Sequence, residues 1–313
     1  MIPSYVVYTL LALNEQGFGI NVVGHVRDLG RARAVFGPVA NRSDFTLIEH
    51  DVTEAFTPNK PIDLVIHGAS PAKPSLHAAS PVDTIRANVQ GTFNLLDACV
   101  ASGAHFVLMS SAEVYGQHAD SSSLITEDSY GAVDILNPRA SYTEGKRAAE
   151  TIASSYHAQY EVPITIARFG HIFGPGMALD DGRVQADFTA DVIARRHITL
   201  NSDGSARRTY TYLGDAVAGM FFAILRGENT AYNIADVDGF ITIRDLAQAF
   251  TDARPQHSLQ VRYREGVDHS KYNPVSGQGL DDSRLRALGW TPHVGLAAGL
   301  DRTIAWHEER AAQ

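Results

Sequence analysis

The stretch SSAEVYG (residues 110–116) decides the fold class of this chain. It continues from an apolar, strand-like run at 106–110, and a helical pattern follows at 141–160. Short apolar runs alternate with helical patterns throughout the first half of the chain. This alternation is typical of an α/β protein in which a parallel sheet carries helices on both faces. We therefore predict a doubly wound, mostly parallel sheet, followed by a smaller C-terminal α/β region.

The same pattern places the individual elements. Strands are predicted at 20–26, 45–50, 64–67, 106–110 and 164–169. Helices are predicted at 4–15, 81–102 and 141–160, and in the C-terminal part at 243–253 and 296–310. Short apolar runs at 198–200, 232–234 and 259–263 complete the pattern after residue 176.

Composition excludes several classes of function. The formal net charge of -9, with acidic and basic residues interspersed, argues against binding to nucleic acid or to a membrane surface. The single cysteine, Cys99, excludes an internal disulfide and predicts a buried thiol in a reducing, cytoplasmic compartment. The apolar run at 4–13 lacks a basic flank and is too short to span a membrane, so we interpret it as a buried helix.

Tyr142 and Lys146 stand four residues apart in the predicted helix 141–160, which puts both side chains on one face. A lysine ammonium beside a phenol stabilises the phenolate, so we expect the pKa of Tyr142 to fall from about 10 toward neutrality. Such a base can take a proton from a sugar or alcohol hydroxyl while a nicotinamide takes the hydride.

The first strand of a doubly wound sheet normally ends in a glycine-rich turn that carries a dinucleotide pyrophosphate, and no such turn occurs here. We interpret the start of the chain as lying inside the first helix, and we expect roughly a dozen upstream residues to supply the strand and turn. A shortened protein with weakened cofactor binding is the alternative. The sequence alone leaves both open.

Further motifs resemble the extended short-chain dehydrogenase/reductase family, the NAD-dependent epimerases, dehydratases and decarboxylases of nucleotide sugars. HDV (50–52), HGASP (67–71) and NVQGT (88–92) are similar to the family's adenine element, phosphate-side turn and helix motif. PRASYTEGKR (138–147) and DGRV (181–184) resemble the UDP-glucuronate decarboxylases in particular. The resemblance covers essentially the whole chain and implies a Rossmann-type domain at 1–174 and a mainly substrate-binding region at 175–313. It also implies that some C-terminal segments return to the main sheet.

The resemblance implies four catalytic residues. Tyr142 would deprotonate the sugar C4 hydroxyl, and Lys146 would lower the pKa of that phenol and hold the nicotinamide ribose. Ser111 would hydrogen-bond the same hydroxyl, and Glu113 would handle a proton or orient the sugar near C5. Ala112 stands where hexose 4,6-dehydratases often carry an aspartate that protonates the departing hydroxyl, and an alanine cannot supply that proton.

The cofactor implied by the resemblance is NAD, with NADP as the alternative because Arg27 follows the second strand of the fold and Asp28 comes late for the ribose. Tyr142 and Lys146 are predicted to act in catalysis and also to bind the cofactor. The remaining cofactor-binding residues that we predict are Ile2, Arg27, Asp51, Val52, Ala69 and Asn88. The sequence has no metal-ligand spacing, so no metal is expected.

Four residues are predicted to contact the substrate. Ser70, His171, Arg183 and Arg208 match positions that hold the sugar or the diphosphate. Lys73, His77 and Ala79 depart from the family in the loop that touches the sugar, where a small residue and tyrosines are usual.

These observations predict decarboxylation of a UDP-uronic acid through transient oxidation at C4, with the cofactor retained between turnovers. A 4-epimerase and a 4,6-dehydratase are alternatives within the family, and a catalytically silent binding protein is an alternative of another class. The paired helices 81–102 and 141–160 resemble the family's four-helix dimer interface, so a homodimer is expected.

Overall fold

The computed structural model describes residues 1–71, 74–117, 124–264 and 277–311, and Lys73 lies outside them. The helices are α1 (Ile2–Asn14), α2 (Leu29–Phe36), α3 (Pro74–Ala79), α4 (Pro81–Ser102), α5 (Ala140–Tyr160), α6 (Val184–Ile193), α7 (Leu213–Arg226), α8 (Ile243–Asp252), α9 (Ser283–Ala287) and α10 (Leu296–Ala311). The strands are β1 (Val22–Val26), β2 (Phe45–Glu49), β3 (Leu64–His67), β4 (His105–Ser111), β5 (Ile164–Phe169), β6 (His171–Phe173), β7 (Ile198–Leu200), β8 (Arg207–Tyr212), β9 (Ala231–Ile234), β10 (Phe240–Thr242), β11 (Val261–Tyr263) and β12 (Gly277–Gln278).

The central sheet is parallel and has the order β3-β4-β5-β9, and β1 and β2 form a separate parallel pair. Among the described strands, none pairs with the second edge of β1 or of β3. β8 pairs with β6, β10 and β12, while β7 pairs with β11. The mostly parallel α/β architecture predicted from the alternating pattern is confirmed.

The long helix α4 has the bounds that the sequence predicts, because local signals mark both of its ends. Pro81 lies in the first turn, where its missing N–H costs nothing, and Asp83 adds a favourable charge there. Gly103 follows the helix with φ 70°, a left-handed conformation that glycine adopts without strain, and its N–H bonds to the carbonyl of Cys99 over 2.8 Å.

Other ends differ from the sequence predictions for identifiable reasons. β1 begins at Val22 instead of residue 20, because the Asn14 side chain hydrogen-bonds with the backbone N–H and carbonyl of Ile20. The Ile20 N–H donates to Asn14 Oδ1 over 2.7 Å, and Asn14 Nδ2 donates to the Ile20 carbonyl over 2.6 Å. The sequence predictions lack the helix α7, half of whose residues are buried, and the strand β8, which is buried over most of its length.

The main core lies between the central sheet, α1 and α7, with Val107 and Ala167 from the sheet and Leu213 and Met220 from α7. A second core, around Phe173 and Phe250, holds the C-terminal part together. α4 and α5 pack so closely that a Cβ on Gly145 would approach the Asn88 Cβ to 3.2 Å. This close packing places the start of α5 against the carboxyl end of the central sheet.

Candidate active site

Tyr142 lies in the first turn of α5, and Ser111 is the last residue of β4. The hydroxyl of Ser111 accepts a hydrogen bond from the Glu113 N–H over 3.2 Å, which starts a short 3-10 helix at Ala112–Tyr115. The Ser111 hydroxyl also acts on the Tyr142 phenol, whose pKa it lowers. The structure therefore brings together the two groups that the resemblance assigns to one substrate hydroxyl.

The pKa of the Tyr142 phenol is raised, which corrects the expectation drawn from the sequence. Burial is the largest cause, since it disfavours the phenolate, and the carboxylate of Glu113 acts in the same direction. The Ser111 hydroxyl and the charge of Arg183 lower the pKa without overcoming the burial. Helical spacing correctly places Lys146 on the face of Tyr142, with its Nζ 5.9 Å from the ring centroid, but gives no measure of burial.

Lys146 is buried, and its ammonium donates a hydrogen bond to the Met109 carbonyl over 2.7 Å. Burial lowers the pKa of Lys146 to about 8, and the nearby Glu150 carboxylate raises it. An ammonium has three donors. Because it is already anchored to β4, Lys146 is oriented before any ligand binds.

Glu113 is exposed by surface area, yet burial is the largest cause of its shift and raises the pKa of its carboxyl. The charges of Arg139 and Arg208 lower the pKa of the same group. Arg139 is a residue that sequence reasoning missed as a site residue, although it lies inside the PRASYTEGKR motif that carries the resemblance.

The predicted substrate residues His171, Arg183 and Arg208 interact electrostatically with this group of side chains. Burial lowers the pKa of His171 to about 3, and the charges of Arg208 and Arg183 add to this effect. His171 pairs with Tyr210 in the β6–β8 ladder, and its buried Nδ1 has no hydrogen-bond partner. Arg183 is held by the carboxylate of Asp181. The structure thus brings His171, Arg183 and Arg208 within electrostatic reach of one another and of the Glu113 and Tyr142 side chains.

Four of the predicted cofactor residues, Arg27, Asp51, Val52 and Ala69, follow the carboxyl ends of β1, β2 and β3, where doubly wound sheets bind dinucleotides. Asn88 Nδ2 donates to Ser70 Oγ over 3.0 Å, which orders the turn that contains Ala69, while the buried Asn88 Oδ1 has no partner. The pKa of Asp51 is lowered, first by hydrogen bonds from Thr53 and then by the charge of Arg27.

Other residues near this end already have structural tasks. Asp28 accepts a hydrogen bond from the Arg31 N–H over 2.8 Å and so caps α2. Val52 packs against α4 at the point where a Cβ on Gly91 would approach it to 2.9 Å. Ile2 packs against the main core.

The buried donors and acceptors fit a dinucleotide at this end of the sheet. Asn88 Oδ1 and both ring nitrogens of His67 are buried without partners, and Lys146 has further donors beside them. Burial lowers the pKa of His67 to about 3, and the charge of Lys146 contributes. In the described parts of the chain, no group of three or more histidine, cysteine, aspartate or glutamate side chains could hold a metal ion. No helix within the described ranges has the length and apolar character needed to cross a membrane.

Comparison with solved structures reproduces the fold. The chain superimposes on a dTDP-glucose 4,6-dehydratase from Streptomyces venezuelae, solved with NAD, with a TM-score of 0.79 and 25% identity, over 99% of this chain and 95% of that chain. A UDP-glucuronic acid 4-epimerase from Bacillus cereus, solved with UDP-glucuronic acid and NAD, gives a TM-score of 0.78 at 22% identity, over 99% of this chain and 96% of that one.

Comparison with curated sequences finds UDP-glucuronic acid decarboxylases. The chain is 34% identical to decarboxylase 4 of Arabidopsis thaliana over 276 residues, which is 86% of this chain and 59% of the relative. It is 33% identical to decarboxylase 1 of the same plant over 262 residues, 83% of this chain and 58% of the relative. The chain therefore spans about three fifths of the length of these relatives. The family model described as NAD dependent epimerase/dehydratase matches residues 3–235. The chain belongs to the NAD dependent epimerase/dehydratase family.

Proposed function

We propose that this protein is an NAD-dependent enzyme that decarboxylates a UDP-uronic acid. The observation that carries the proposal is that Ser111 at the end of β4 accepts the Glu113 N–H over 3.2 Å, while the charge of Glu113 acts on Tyr142 and that of Arg208 acts on Glu113. The 34% identity to a UDP-glucuronic acid decarboxylase points to the same substrate class. Residues 1–174 would hold the cofactor, while Arg183 and Arg208 of the region 175–313 would bind the diphosphate.

When bound, NAD would supply the oxidant for sugar C4. Tyr142 would take the proton of the C4 hydroxyl, and the Ser111 hydroxyl would hold that oxygen in line. Lys146, anchored on the Met109 carbonyl, would hold the ribose with its remaining donors. The other residues that we propose for the cofactor are Ile2, Arg27, Asp51, Val52, Ala69 and Asn88.

Oxidation at C4 places the C5 carboxylate β to a ketone. The C5–C6 bond then breaks, carbon dioxide leaves, and the electron pair enters an enolate stabilised by Ser111 and Tyr142. A proton returns to C5, and reversal of the C4 oxidation leaves a net redox change of zero. No acid for a departing hydroxyl is needed, which agrees with the apolar packing of Ala112 against Val114 and Tyr115.

We further propose a homodimer formed through α4 and α5. Val82, Ile85, Phe93 and Val100 are exposed and, at helical spacing, lie on one face of α4. Phe93 contacts Tyr156 of α5, with ring centroids 6.2 Å apart, so the apolar surface extends over both helices. Covering such a surface is favourable in water.

A cytoplasmic location is proposed on the state of the single cysteine. Cys99 is a buried free thiol, and burial raises its pKa to about 12. A thiol in this state is inert and is compatible with a reducing compartment.

The proposed activity is tested by incubating the purified protein with UDP-glucuronic acid and NAD and measuring carbon dioxide and the nucleotide product by NMR. Release of carbon dioxide with formation of a UDP-pentose is expected, and Tyr142→Phe should abolish both while keeping the fold. Formation of the C4 epimer without carbon dioxide would assign the chain to the epimerases. A 4-keto-6-deoxy product from a nucleotide hexose would contradict decarboxylation. Absence of any turnover and of any NAD binding would favour the silent binding protein.

A further inference from the structure

His77 stacks on the ring of Tyr142. The two rings are nearly parallel, with an interplanar angle of 5° and a centroid separation of 4.2 Å. His77 is buried, with 9% of its surface exposed, and it belongs to α3 instead of to any element that carries the residues assigned above. A flat ring packed on a flat ring restricts tilting of both, while the hydroxyl at the ring edge stays open to other groups.

The imidazole is itself held in place from the turn after β3. His77 Nε2 lies 3.1 Å from the Pro71 carbonyl, which can only accept, so Nε2 carries the proton and donates. The backbone carbonyl of His77 accepts a hydrogen bond from Ser141 Oγ over 3.2 Å, next to Tyr142 in sequence. The ring of His77 is thus anchored to the phosphate-side turn, and its backbone is anchored to the start of α5.

We propose that His77 is a positioning residue for Tyr142, holding the phenol plane so that its hydroxyl meets Ser111 and the sugar C4 hydroxyl. This inference rests on the proposed function of Tyr142 as the base. A tyrosine has two side-chain torsions, and a clamp on the ring face limits both. Productive alignment of a proton acceptor is worth a large factor in rate, since misplacement by about 1 Å can cost roughly 100-fold.

The clamp works with a neutral imidazole. Burial lowers the pKa of His77, the hydrogen bond to Pro71 raises it, and the charges of Arg139 and Arg183 lower it further. These groups, with Tyr142 itself, are the charged and titratable neighbours that the structure gives for His77. The stack therefore supplies orientation and not positive charge.

The test compares His77→Ala, which removes the stack, with His77→Phe, which keeps a flat ring. The matched control is His157→Ala, because His157 is also bonded to a backbone carbonyl, over 2.9 Å, but lies at the far end of α5. We expect His77→Ala to lower kcat by about 10- to 100-fold with KM changed by less than about 2-fold, and His77→Phe to recover kcat to within about 3-fold. The control should leave both constants unchanged.

A second readout does not depend on turnover. In protein labelled with 3-fluorotyrosine, the fluorine signal of Tyr142 is assigned by its loss in Tyr142→Phe. We expect this signal to shift or broaden in His77→Ala and to return in His77→Phe. An unchanged signal together with unchanged kcat in His77→Ala would overturn the inference, while turnover by the unmodified protein would still support the proposed function. A shifted signal in a protein that turns over no nucleotide sugar would support the clamp and refute the function.

Discussion

The ammonium group of Lys146 donates a hydrogen bond to the main-chain carbonyl of Met109 over 2.7 Å and so ties α5 to the interior of β4. The ammonium is fully buried, and the pKa of Lys146 is lowered to about 8 by that burial. A charge kept in this buried position lowers the free energy of unfolding. The protein retains the charge because its proposed chemistry needs it.

Replacing this charge should stabilise the protein and inactivate it. The folded pKa of Lys146 lies below its unfolded value of about 10.5, so the unfolded state binds more protons between these values and stability rises with pH there. At pH 7 the buried ammonium is charged, and we expect Lys146→Met to increase the free energy of unfolding by of the order of 1–3 kcal/mol. The gain should shrink as the pH rises above about 8. Denaturant unfolding at several pH values measures it, and an unfolding free energy that falls at pH 7 would contradict this prediction.

Removal of the Ser111 hydroxyl should move the pH dependence of turnover. The Ser111 hydroxyl lowers the pKa of Tyr142, whose phenolate is the proposed base. The increase of kcat with pH that accompanies deprotonation of Tyr142 should therefore move to higher pH in Ser111→Ala. At neutral pH, kcat should fall by about 10- to 100-fold. The neighbouring Ser110 donates to Glu150 over 2.5 Å, so Ser110→Ala is the matched control and should keep the midpoint of the profile.

Glu113 should set the acid limb of the same profile. Burial raises the pKa of its carboxyl, and the proposed role near sugar C5 uses the ionised form. Turnover should thus fall at a higher pH than an ordinary glutamate would give, and Glu113→Gln should remove that limb while lowering kcat. An acid limb with the same midpoint in Glu113→Gln would assign it to another group.

Arg208 should contribute mainly to binding of the nucleotide sugar. Its side chain lies near Glu113 and Tyr210, and burial lowers its pKa. Arg208→Ala should raise KM by about 10-fold or more with a smaller effect on kcat, because the lost contact acts on the ground state and the transition state alike. Arg207 packs over the Phe240 ring, 4.3 Å from its centroid, and Arg207→Ala serves as the control that should keep KM.

A charge in the proposed dimer face should dissociate the protein. Phe93→Asp would bury a carboxylate between copies, which is costly without a partner. Analytical ultracentrifugation should show a dimer for the unmodified protein and a monomer for the variant. Leu225 is 79% exposed on α7, away from α4 and α5, and Leu225→Asp should leave the dimer intact. A monomeric unmodified protein would refute the proposed interface.

Local signals explain how far the sequence alone predicted the structure. Pro81 marks the start of α4 and Gly103 marks its end, and each signal lies within one turn of the helix end. The bounds of α4 could therefore be predicted without knowledge of the rest of the fold. The shared face of Tyr142 and Lys146 follows from helical spacing, which is equally local. The family resemblance was likewise readable from contiguous motifs, and the family model that matches residues 3–235 confirms it.

Tertiary structure decided the rest, because burial and contacts between distant segments have no local signature. Sequence spacing paired Lys146 with the phenol, whereas the fold directs its ammonium to Met109 and raises the pKa of Tyr142 by burial. The ring of His77 meets Tyr142 only because α3 packs against α5. The sequence by itself determined which residue types the site contains, and only the packed fold decided their protonation and orientation, since desolvation depends on all the surrounding atoms.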